Sequence, residues 1–440
     1  MKRVWDATNR AVAELLEGRT VLSVSGLAIS EVVLPGGGIE LRINATAAND
    51  RIAVQQTPQG LVVGNNASSQ SFPGDFQSLV VHGTSGNNSI LIDPSVQIDA
   101  MLYGGSGKNI LQAGSGDDTL VCIGSKADIL IGGAGNDSFW TDASSKEKIV
   151  NLRQDEIAAG NVHRVGSLFS ASTIAGSSGH KTQSLSLSRQ LHVRKLPEPL
   201  TTDGSTYSDF SSHVLFSSAG PSENDIYQGS VGDCYFLATL SAIAKTDPSR
   251  IRQSVLDMGD GTYLVQFSKG ANKVYIRVDG ELPVMPGGQL DYAGTGAQGS
   301  IWVAILEKAF TIFHSQAPTY AAIDGGWMDE AFAALGASPS DIYSAATPTA
   351  LVAQIQQNLS EGQAVTLAVN TPQDGAPLLG SHAYTVDSVT TDADGNVTGL
   401  VLRNPWGVDG AGNDGYNDGY VTVTAQQAYD SMLGVVSAYA

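Results

Sequence analysis

The chain has 440 residues, of which 42% are hydrophobic and 15% are charged, and its 43 acidic and 24 basic residues give a formal net charge of −19. This length predicts two or three domains with sizeable cores. The excess of carboxylates disfavours nucleic acids and anionic membrane surfaces as partners and suits a calcium-rich exterior. The sequence has no run of about 18 apolar residues, so no membrane-spanning helix is predicted.

The start of the chain is basic but lacks an uninterrupted apolar core, so an ordinary signal peptide is not apparent. Residues 16–23 resemble a short tag found near the start of many large exported bacterial proteins. An amphipathic helix from about Ala7 to Leu16 is the alternative interpretation. We therefore expect the protein to be exported or extracellular in a bacterium, with a cytoplasmic location as the alternative.

Residues 24–145 consist of short β-prone runs separated by glycine, asparagine and aspartate. A repeat becomes explicit in the later part, where Asn109, Asp118, Asp128 and Asp137 follow one another at spacings of 9, 10 and 9 residues. The glycines between them suit tight turns, and one apolar residue per turn would point into a core. These inward residues are predicted to be Leu111, Leu120, Leu130 and Phe139.

This pattern resembles the hemolysin-type calcium-binding nonapeptide repeat, also called the RTX repeat, which forms a parallel β-roll. The resemblance implies an all-β parallel β-helix or β-roll whose Asp118, Asp128 and Asp137 bind calcium between coils. The copies are degenerate, because Asn109 replaces an acid and Lys126 stands where glycine is expected. A metal-free β-solenoid held by asparagine and hydrophobic ladders is the alternative.

Residues 146–215 contain serine and threonine clusters with scattered basic residues, followed by Pro197-Glu198-Pro199. This composition has few features of a packed core. We interpret the segment as a Ser/Thr-rich linker or pro-region.

A glycine-punctuated turn then leads to Asp233, a good helix N-cap, and the following apolar residues recur at helical spacing. Cys234 therefore lies in the first turn of a predicted helix, where the N–H groups and the helix dipole favour a thiolate. The alternative is a small buried hydrophobic side chain. The other cysteine, Cys122, lies in a different segment, and a structural disulfide between the two is not expected.

Two downstream segments supply partners for a cysteine nucleophile, which needs an imidazole to take its proton and a third group to orient that imidazole. His382 lies in an alternating, strand-like segment 148 residues after Cys234. Asn404 follows 22 residues later, at the end of a second predicted strand that stops at Pro405.

Five segments resemble, in the same order, motifs of the protease core of the calpain family of papain-like cysteine proteases. The resemblance covers about residues 215–440 and implies an α+β papain-like fold that cleaves protein or peptide substrates. The segments are 225–234, 274–284, 301–310, 380–386 and 403–407.

The resemblance also implies roles for individual residues. Cys234 would be the nucleophile, His382 the general base and then acid, and Asn404 the group that orients the ring. The Gln228 side chain would join the Cys234 N–H in an oxyanion hole, and Trp406 would shield the bond between His382 and Asn404. In the structural alternatives, Gln228 is a surface turn residue and His382 is a core histidine. Asn404 is a pre-proline turn former, and Trp406 is a core aromatic residue.

A calcium site in the protease core is a further implication of the resemblance. The Gly220 backbone, Asp225 and Glu307 match its ligand positions, and hard oxygen donors suit calcium. In the alternative, Asp225 caps a turn and Glu307 is a solvated or salt-bridged helix residue. Residues 408–420 form acidic, glycine-rich turns that depart from the pattern of the animal enzymes, which leaves a calcium site there open. No organic cofactor is predicted.

The sequence thus predicts a multidomain protein with a β-roll at 1–145, a linker or pro-region at 146–215 and a calpain-like core at 216–440. The predicted function is a calcium-dependent cysteine endopeptidase that processes itself within residues 146–220, because an exposed linker is readily cut. A catalytically silent calpain-fold binding protein and a thiol acyltransferase with the same triad are the alternatives. No nucleic-acid or integral membrane partner is predicted, and the oligomeric state is left open.

Overall fold

A computed structural model describes most of the chain and divides it into two compact units. The first unit comprises Met1–Ser167 with Leu185–Val193, and the second comprises Leu168–Ser184 with Arg194–Ala440. The predicted helix from Ala7 to Leu16, Lys126 and the tag-like stretch 16–23, apart from Arg19–Thr20, lie outside the described residues. The described residues are 19–20, 24, 26–66, 68–125, 127–169, 186–193, 195–202, 204–315, 318–342, 345–412 and 415–439.

The first unit is rich in strands. Its described elements are β1 (Arg19–Thr20), β2 (Leu27–Val33), β3 (Ile39–Ala45), β4 (Arg51–Thr57), β5 (Gly60–Asn65), β6 (Ser68–Pro73), β7 (Ser78–His82), β8 (Ser89–Ile92), β9 (Asp99–Tyr103), β10 (Ile110–Gln112), β11 (Thr119–Cys122), β12 (Ile129–Ile131), β13 (Ser138–Asp142), β14 (Lys148–Val150), α1 (Gln154–Ala158), β15 (Val162–Val165) and α2 (Leu187–Leu191).

These strands form two sheets, and from β7 onward successive strands alternate between them. One sheet has the order β1-β2-β3-β7-β9-β11-β13-β15, and the other has the order β14-β12-β10-β8-β4-β5-β6. In the alternating part each strand pairs in parallel with the strand two positions earlier, so that Leu120 lies opposite Phe139 and Leu111 opposite Leu130. All four of these side chains are fully buried in one hydrophobic core. Residues 148–165 of the predicted linker continue both sheets as β14 and β15.

The acidic residues of the repeat lie in two ladders of hydrogen bonds to the main chain. Asp118 accepts the Ala100 N–H at 2.7 Å, and Asp137 accepts the Asp118 N–H at 3.0 Å. On the other ladder Asp128 accepts the Asn109 N–H at 2.6 Å. Each bond spans 18 or 19 residues, so successive aspartates of the 9- to 10-residue pattern belong to different ladders.

This arrangement differs from the predicted calcium positions. The carboxylates of Asp118, Asp128 and Asp137 are buried and accept N–H groups, whereas calcium needs a cage of six to eight oxygens. Among the described residues, no group of three or more His, Cys, Asp and Glu side chains is placed to hold a metal ion. As they are arranged, these three residues do not fit calcium.

Burial raises the pKa values of the same three carboxyl groups. Removal from water raises the pKa of Asp118 to about 8, that of Asp137 to about 7 and that of Asp128 to about 6. Asp137 is also the member whose Oδ2 is buried without a hydrogen-bond partner. A proton on these groups therefore favours the folded first unit.

The second unit combines helices with sheets. Its elements are β16 (Leu168–Phe169), β17 (Thr206–Asp209), α3 (Cys234–Thr246), α4 (Pro248–Ser254), β18 (Val255–Asp257), β19 (Thr262–Lys269), β20 (Asn272–Asp279), β21 (Glu281–Val284), α5 (Trp302–His314), α6 (Met328–Ala334), β22 (Ser338–Ile342), α7 (Pro348–Ser360), β23 (Ala364–Val369), β24 (His382–Thr391), β25 (Val397–Arg403), β26 (Tyr420–Thr424), α8 (Ala425–Ser431) and β27 (Met432–Tyr439), with 3-10 turns at Glu223–Asp225, Ala297–Gly299 and Tyr320–Ile323.

The second unit has two hydrophobic cores, and α3 lies in one of them. One core joins α3 and α5, where the rings of Phe236 and Phe310 stack at 4.0 Å between centroids. The other lies under the sheet of order β22-β27-β23-β24-β25-β26, which α7 and α8 cover. Helix α3 packs against β23 and β24 of that sheet, and Thr385 donates its hydroxyl to the Ala238 carbonyl at 2.8 Å. The start of α3 and the start of β24 are thereby held together.

The described helices are short relative to the thickness of a bilayer. The longest of them, such as α3 and α5, have 13 residues, and none of the described helices is long and apolar enough to cross a membrane.

The raised pKa values predict that the first unit becomes less stable as the pH rises. Below about pH 4 these carboxyls are protonated in both folded and unfolded chains. Between that pH and the folded values of about 6 to 8, the folded chain holds more protons, so stability falls with pH. We expect backbone amides of β11–β13 to lose protection against hydrogen exchange between pH 5.5 and pH 8.5, roughly the interval the shifts span, after correction for intrinsic rates.

The control for that measurement is a pair of neighbouring substitutions. Asp137→Asn keeps an oxygen for the Asp118 N–H and removes the buried charge, so it should reduce the loss of protection. Asp117→Asn makes the same chemical change at an exposed position, whose charge adds only slightly to the raised pKa of Asp137, and should reduce the loss far less. Equal losses in the wild type and in Asp137→Asn would contradict this account.

Candidate active site

A cleft of about 520 Å³ opens in the second unit and brings together most of the residues singled out from the sequence. Gln228, Cys234, His382 and Trp406 all line it. Asn404 lies directly behind His382 and is fully buried. The cleft therefore gathers a thiol, an imidazole and amide groups in one place.

Cys234 is the first residue of α3, as predicted, and its thiol lies partly exposed in the cleft. Burial nevertheless raises the pKa of the Cys234 thiol to about 11, and the negative charge of Asp233 adds to this shift. The N–H groups of Ala383 and of the first turn of α3 act in the opposite direction. The predicted thiolate preference at the helix N-terminus is thus outweighed by desolvation, and the resting thiol is neutral.

His382, the first residue of β24, is oriented by Asn404. His382 Nε2 and Asn404 Oδ1 are 2.8 Å apart. Asn404 Oδ1 also accepts the Trp406 N–H at 3.0 Å, while Asn404 Nδ2 donates to the Asp409 carbonyl at 3.1 Å. These two bonds fix the amide so that its oxygen faces the ring, and Nε2 must then be the protonated nitrogen. The lone pair of His382 is left on Nδ1.

Burial also lowers the pKa of His382, and the bond to Asn404 opposes this shift only in part. The imidazole is therefore neutral at pH 7 and can accept a proton. The Trp406 ring lies 5.2 Å from the His382 ring, tilted by 59°, and remains 40% exposed, so it covers the imidazole only partly. Among the described residues, no hydrogen bond joins the thiol of Cys234 to the imidazole.

Gln228 lines the cleft with His382, although the two residues are far apart in the sequence. It is hydrogen-bonded to the segment that follows Asn404. Its main-chain N–H donates to the Pro405 carbonyl at 2.8 Å. Its side-chain Nε2 donates one N–H to the Val231 carbonyl at 2.7 Å, which fixes the amide and leaves its second N–H for another acceptor. This placement is compatible with a donor to a developing oxyanion.

The three residues proposed for a calcium site in the core do not share a binding cage. The buried carboxylate of Asp225 accepts N–H groups from Ser222 at 2.9 Å, from Ala297 at 2.8 Å and from the indole of Trp302 at 2.9 Å. Both oxygens of Asp225 are thereby used by N–H donors. The residue closes a 3-10 turn, as in the alternative interpretation.

The other two proposed ligands are engaged elsewhere. Glu307 accepts the Ala293 N–H at 3.1 and 3.0 Å. Gly220 has φ of +87°, and the Arg252 guanidinium occupies the space beside it. A cation next to a proposed cation site is unfavourable, and these residues as arranged do not fit calcium.

Sequence reasoning missed a buried pair of acids beneath the nucleophile. Asp233 occupies the N-cap position, but its side chain makes no capping bond. It is fully buried and faces Glu307, and no other described side chain donates to its oxygens. Burial raises the pKa of Asp233 to about 7 and that of Glu307 well above its usual range. Two adjacent carboxyls out of water must share a proton. Their separation of 74 residues gives no sequence pattern that would reveal the pair.

Comparison with known proteins is consistent with this geometry. A sequence model described as "Calpain family cysteine protease" matches residues 196–420. The calpain-type cysteine protease DEK1 of Zea mays is 27% identical over 222 residues, calpain clp-4 of Caenorhabditis elegans is 29% identical over 215, and the calpain-2 catalytic subunit of Gallus gallus is 28% identical over 207.

These alignments cover 46%, 46% and 44% of this chain, and they cover 10%, 30% and 29% of the respective relatives. The chain thus spans less than a third of the length of each of these three proteins. The family match itself takes in slightly more than half of the chain and includes the whole cleft. The chain therefore belongs to the calpain family of cysteine proteases.

Proposed function

We propose that this protein is a cysteine endopeptidase in which Cys234, His382 and Asn404 act as a catalytic triad. The observation that carries the proposal is the 2.8 Å bond between His382 Nε2 and Asn404 Oδ1. Because this bond uses the proton on Nε2, the neutral imidazole has its lone pair on Nδ1, which can act as the base. That imidazole and the thiol of Cys234 line the same cleft. A positioned base beside a nucleophile is the arrangement that acyl transfer requires.

In the first half of the proposed reaction, His382 Nδ1 takes the proton of Cys234, and the thiolate attacks the carbonyl carbon of a peptide bond. The new carbon–sulfur bond places negative charge on the carbonyl oxygen, to which the second N–H of Gln228 and the N–H of Cys234 donate. The carbon–nitrogen bond then breaks. His382 gives its proton to the leaving amine, and the acyl group remains on sulfur as a thioester.

In the second half, a water molecule gives a proton to His382 Nδ1 and attacks the thioester carbon. The carbon–sulfur bond breaks, and the proton returns to the Cys234 sulfur. The products are a carboxylic acid and the original thiol. Asn404 holds the ring in one tautomer throughout, and Trp406 partly excludes water from the bond between Asn404 and His382.

A catalytically silent binding protein is the second candidate. It is favoured by the raised pKa of Cys234 and by the lack of a hydrogen bond between this thiol and His382. Such a protein would show no unusual thiol reactivity and no cleavage. The complete set of cleft residues favours the endopeptidase.

For the N-terminal unit we propose a parallel β-roll held by side-chain ladders, located at or beyond the cell surface of a bacterium. The alternating parallel pairing of β7–β15 supports the β-roll, and the acidic composition suits the location. Calcium dependence stays a prediction from the resemblance, and no step above uses the ion. Self-processing within residues 146–220 is part of the proposal, because the chain passes from one compact unit to the other within that segment.

The proposal predicts self-cleavage that depends on Cys234. Intact mass is followed over time for the full chain with calcium and with a chelator. The wild type should be cut between about residues 146 and 220, and Cys234→Ala should stay whole because it lacks the nucleophile. A requirement for calcium would appear as cuts that the chelator abolishes.

The matched control for that experiment is Cys122→Ala, which removes the other, buried cysteine of the first unit and should be cut like the wild type. A wild-type chain that stays whole in every condition would rule out self-processing. Peptide substrates would then decide between an enzyme that cleaves other proteins and the silent binding protein.

The orienting role of Asn404 gives a second prediction. Asn404→Ala removes the acceptor that fixes the Nε2-protonated tautomer of His382, and kcat/KM for a peptide substrate should fall by about 100-fold or more. The rate of Cys234 alkylation should be affected far less at high pH, where the thiol ionises without a base. Unchanged kcat/KM would exclude Asn404 from the triad.

A further inference from the structure

Asp324 occupies a fixed position on the wall of the catalytic cleft. Its Oδ1 accepts the Gly232 N–H at 3.2 Å, and the N–H of Gly325 donates back to the Gly232 carbonyl at 2.9 Å. A side chain at Gly232 would collide with the Asp324 carboxylate, so the glycine allows this close approach. Asp324 is exposed and lies beside the segment that leads to Cys234.

The charge of this wall is negative. Among the described residues that line the cleft, Asp324 is the only carboxylate, and no lysine or arginine lines it. The lowered pKa of His382 keeps the imidazole neutral at pH 7. Behind the same wall, the buried Asp291 accepts the hydroxyl of Ser230 at 2.7 Å. A cleft lined by one sign of charge concentrates the opposite charge.

The reaction chemistry indicates which part of a substrate meets Asp324. Asp324 and Gly325 are hydrogen-bonded to Gly232, two residues before Cys234, and line the cleft with both of them. His382, which gives its proton to the leaving amine, lies in a different segment of the lining, residues 379–382. The acyl part of the substrate, which becomes bonded to Cys234, is therefore the part assigned to Asp324.

We propose that Asp324 binds a lysine or arginine side chain of the substrate, at the residue directly before the cleaved bond. The preferred substrates are accordingly polypeptides with a basic residue at that position. This inference rests on the proposed endopeptidase function and adds the charge selectivity of its cleft.

The chain itself offers such residues where self-processing is proposed. Arg189 and Lys195 are both exposed and lie within residues 146–220, in a protein that has far fewer basic than acidic residues. Cuts in the intact-mass experiment should therefore follow a lysine or an arginine of this segment, and Arg189 and Lys195 are two exposed candidates.

The experiment compares two quenched fluorescent peptides that differ at one residue before the cleaved bond, arginine in one and citrulline in the other. Citrulline has nearly the same shape without the charge. The wild type should prefer the arginine peptide by about two- to fivefold in kcat/KM, the range of an exposed ion pair. Added salt should reduce this preference.

Asp324→Asn keeps an oxygen for the Gly232 N–H and removes the charge, so the preference should disappear while the citrulline peptide is still cleaved. Glu330→Gln removes an exposed carboxylate that does not line the cleft and should leave the preference intact. An equal preference in the wild type and in Asp324→Asn would overturn the inference. Equal cleavage of both peptides by the wild type would remove the selectivity but leave the endopeptidase, whereas cleavage of neither would overturn the proposed function as well.

Discussion

Helix α3 is buried along nearly its whole length, and the candidate site depends on that burial. Residues Tyr235–Ala244 are buried between the core shared with α5 and the sheet that contains β24. A helix enclosed in this way cannot slide or rotate without disrupting this core and its contacts with the sheet. Its first residue, Cys234, and the first residue of β24, His382, are therefore placed by packing rather than by a direct bond between them. The hydroxyl of Thr385 on the Ala238 carbonyl adds a polar constraint to the same contact.

The imidazole is oriented by a chain of hydrogen bonds that ends in the backbone. Asn404 can present only its oxygen to His382, because its amide nitrogen is used by the Asp409 carbonyl. Asp409 is held in turn, since its carboxylate accepts the Gly419 N–H at 3.0 Å and its own N–H donates to Asn417 at 3.0 Å. The described part of the acidic, glycine-rich turns after Gly407 thus helps to hold Asn404 in place. They fix the protonated nitrogen of a ring two hydrogen bonds away.

The sequence is most informative for candidate site residues that lie at the start of a helix or at the end of a strand. The apolar spacing after Asp233 predicts a helix, and α3 begins at Cys234; the strand that stops at Pro405 corresponds to β25, which ends at Arg403. The repeat predicts the buried Leu120 and Phe139 for the same reason, because periodicity reports which face is inward. Periodicity does not report hydrogen-bond partners. The acids of the repeat accept main-chain N–H groups. Such donors leave no signal in the sequence, because nearly every residue has one.

The carboxylates proposed as calcium ligands are buried beside N–H donors. Asp128, Asp137, Asp225 and Glu307 all match ligand positions of calcium-binding families, and in each case the structure supplies N–H donors to the side chain. An acid in a calcium cage and an acid in a ladder of N–H donors look alike in a sequence, since both need a buried oxygen next to a glycine-rich turn. They differ in the free-energy cost of ionising the buried carboxyl group. A divalent ion stabilises ionised carboxylates, whereas a few N–H groups offset only part of their desolvation. Burial therefore keeps the pKa values of Asp128 and Asp137 raised, although their N–H donors act in the opposite direction.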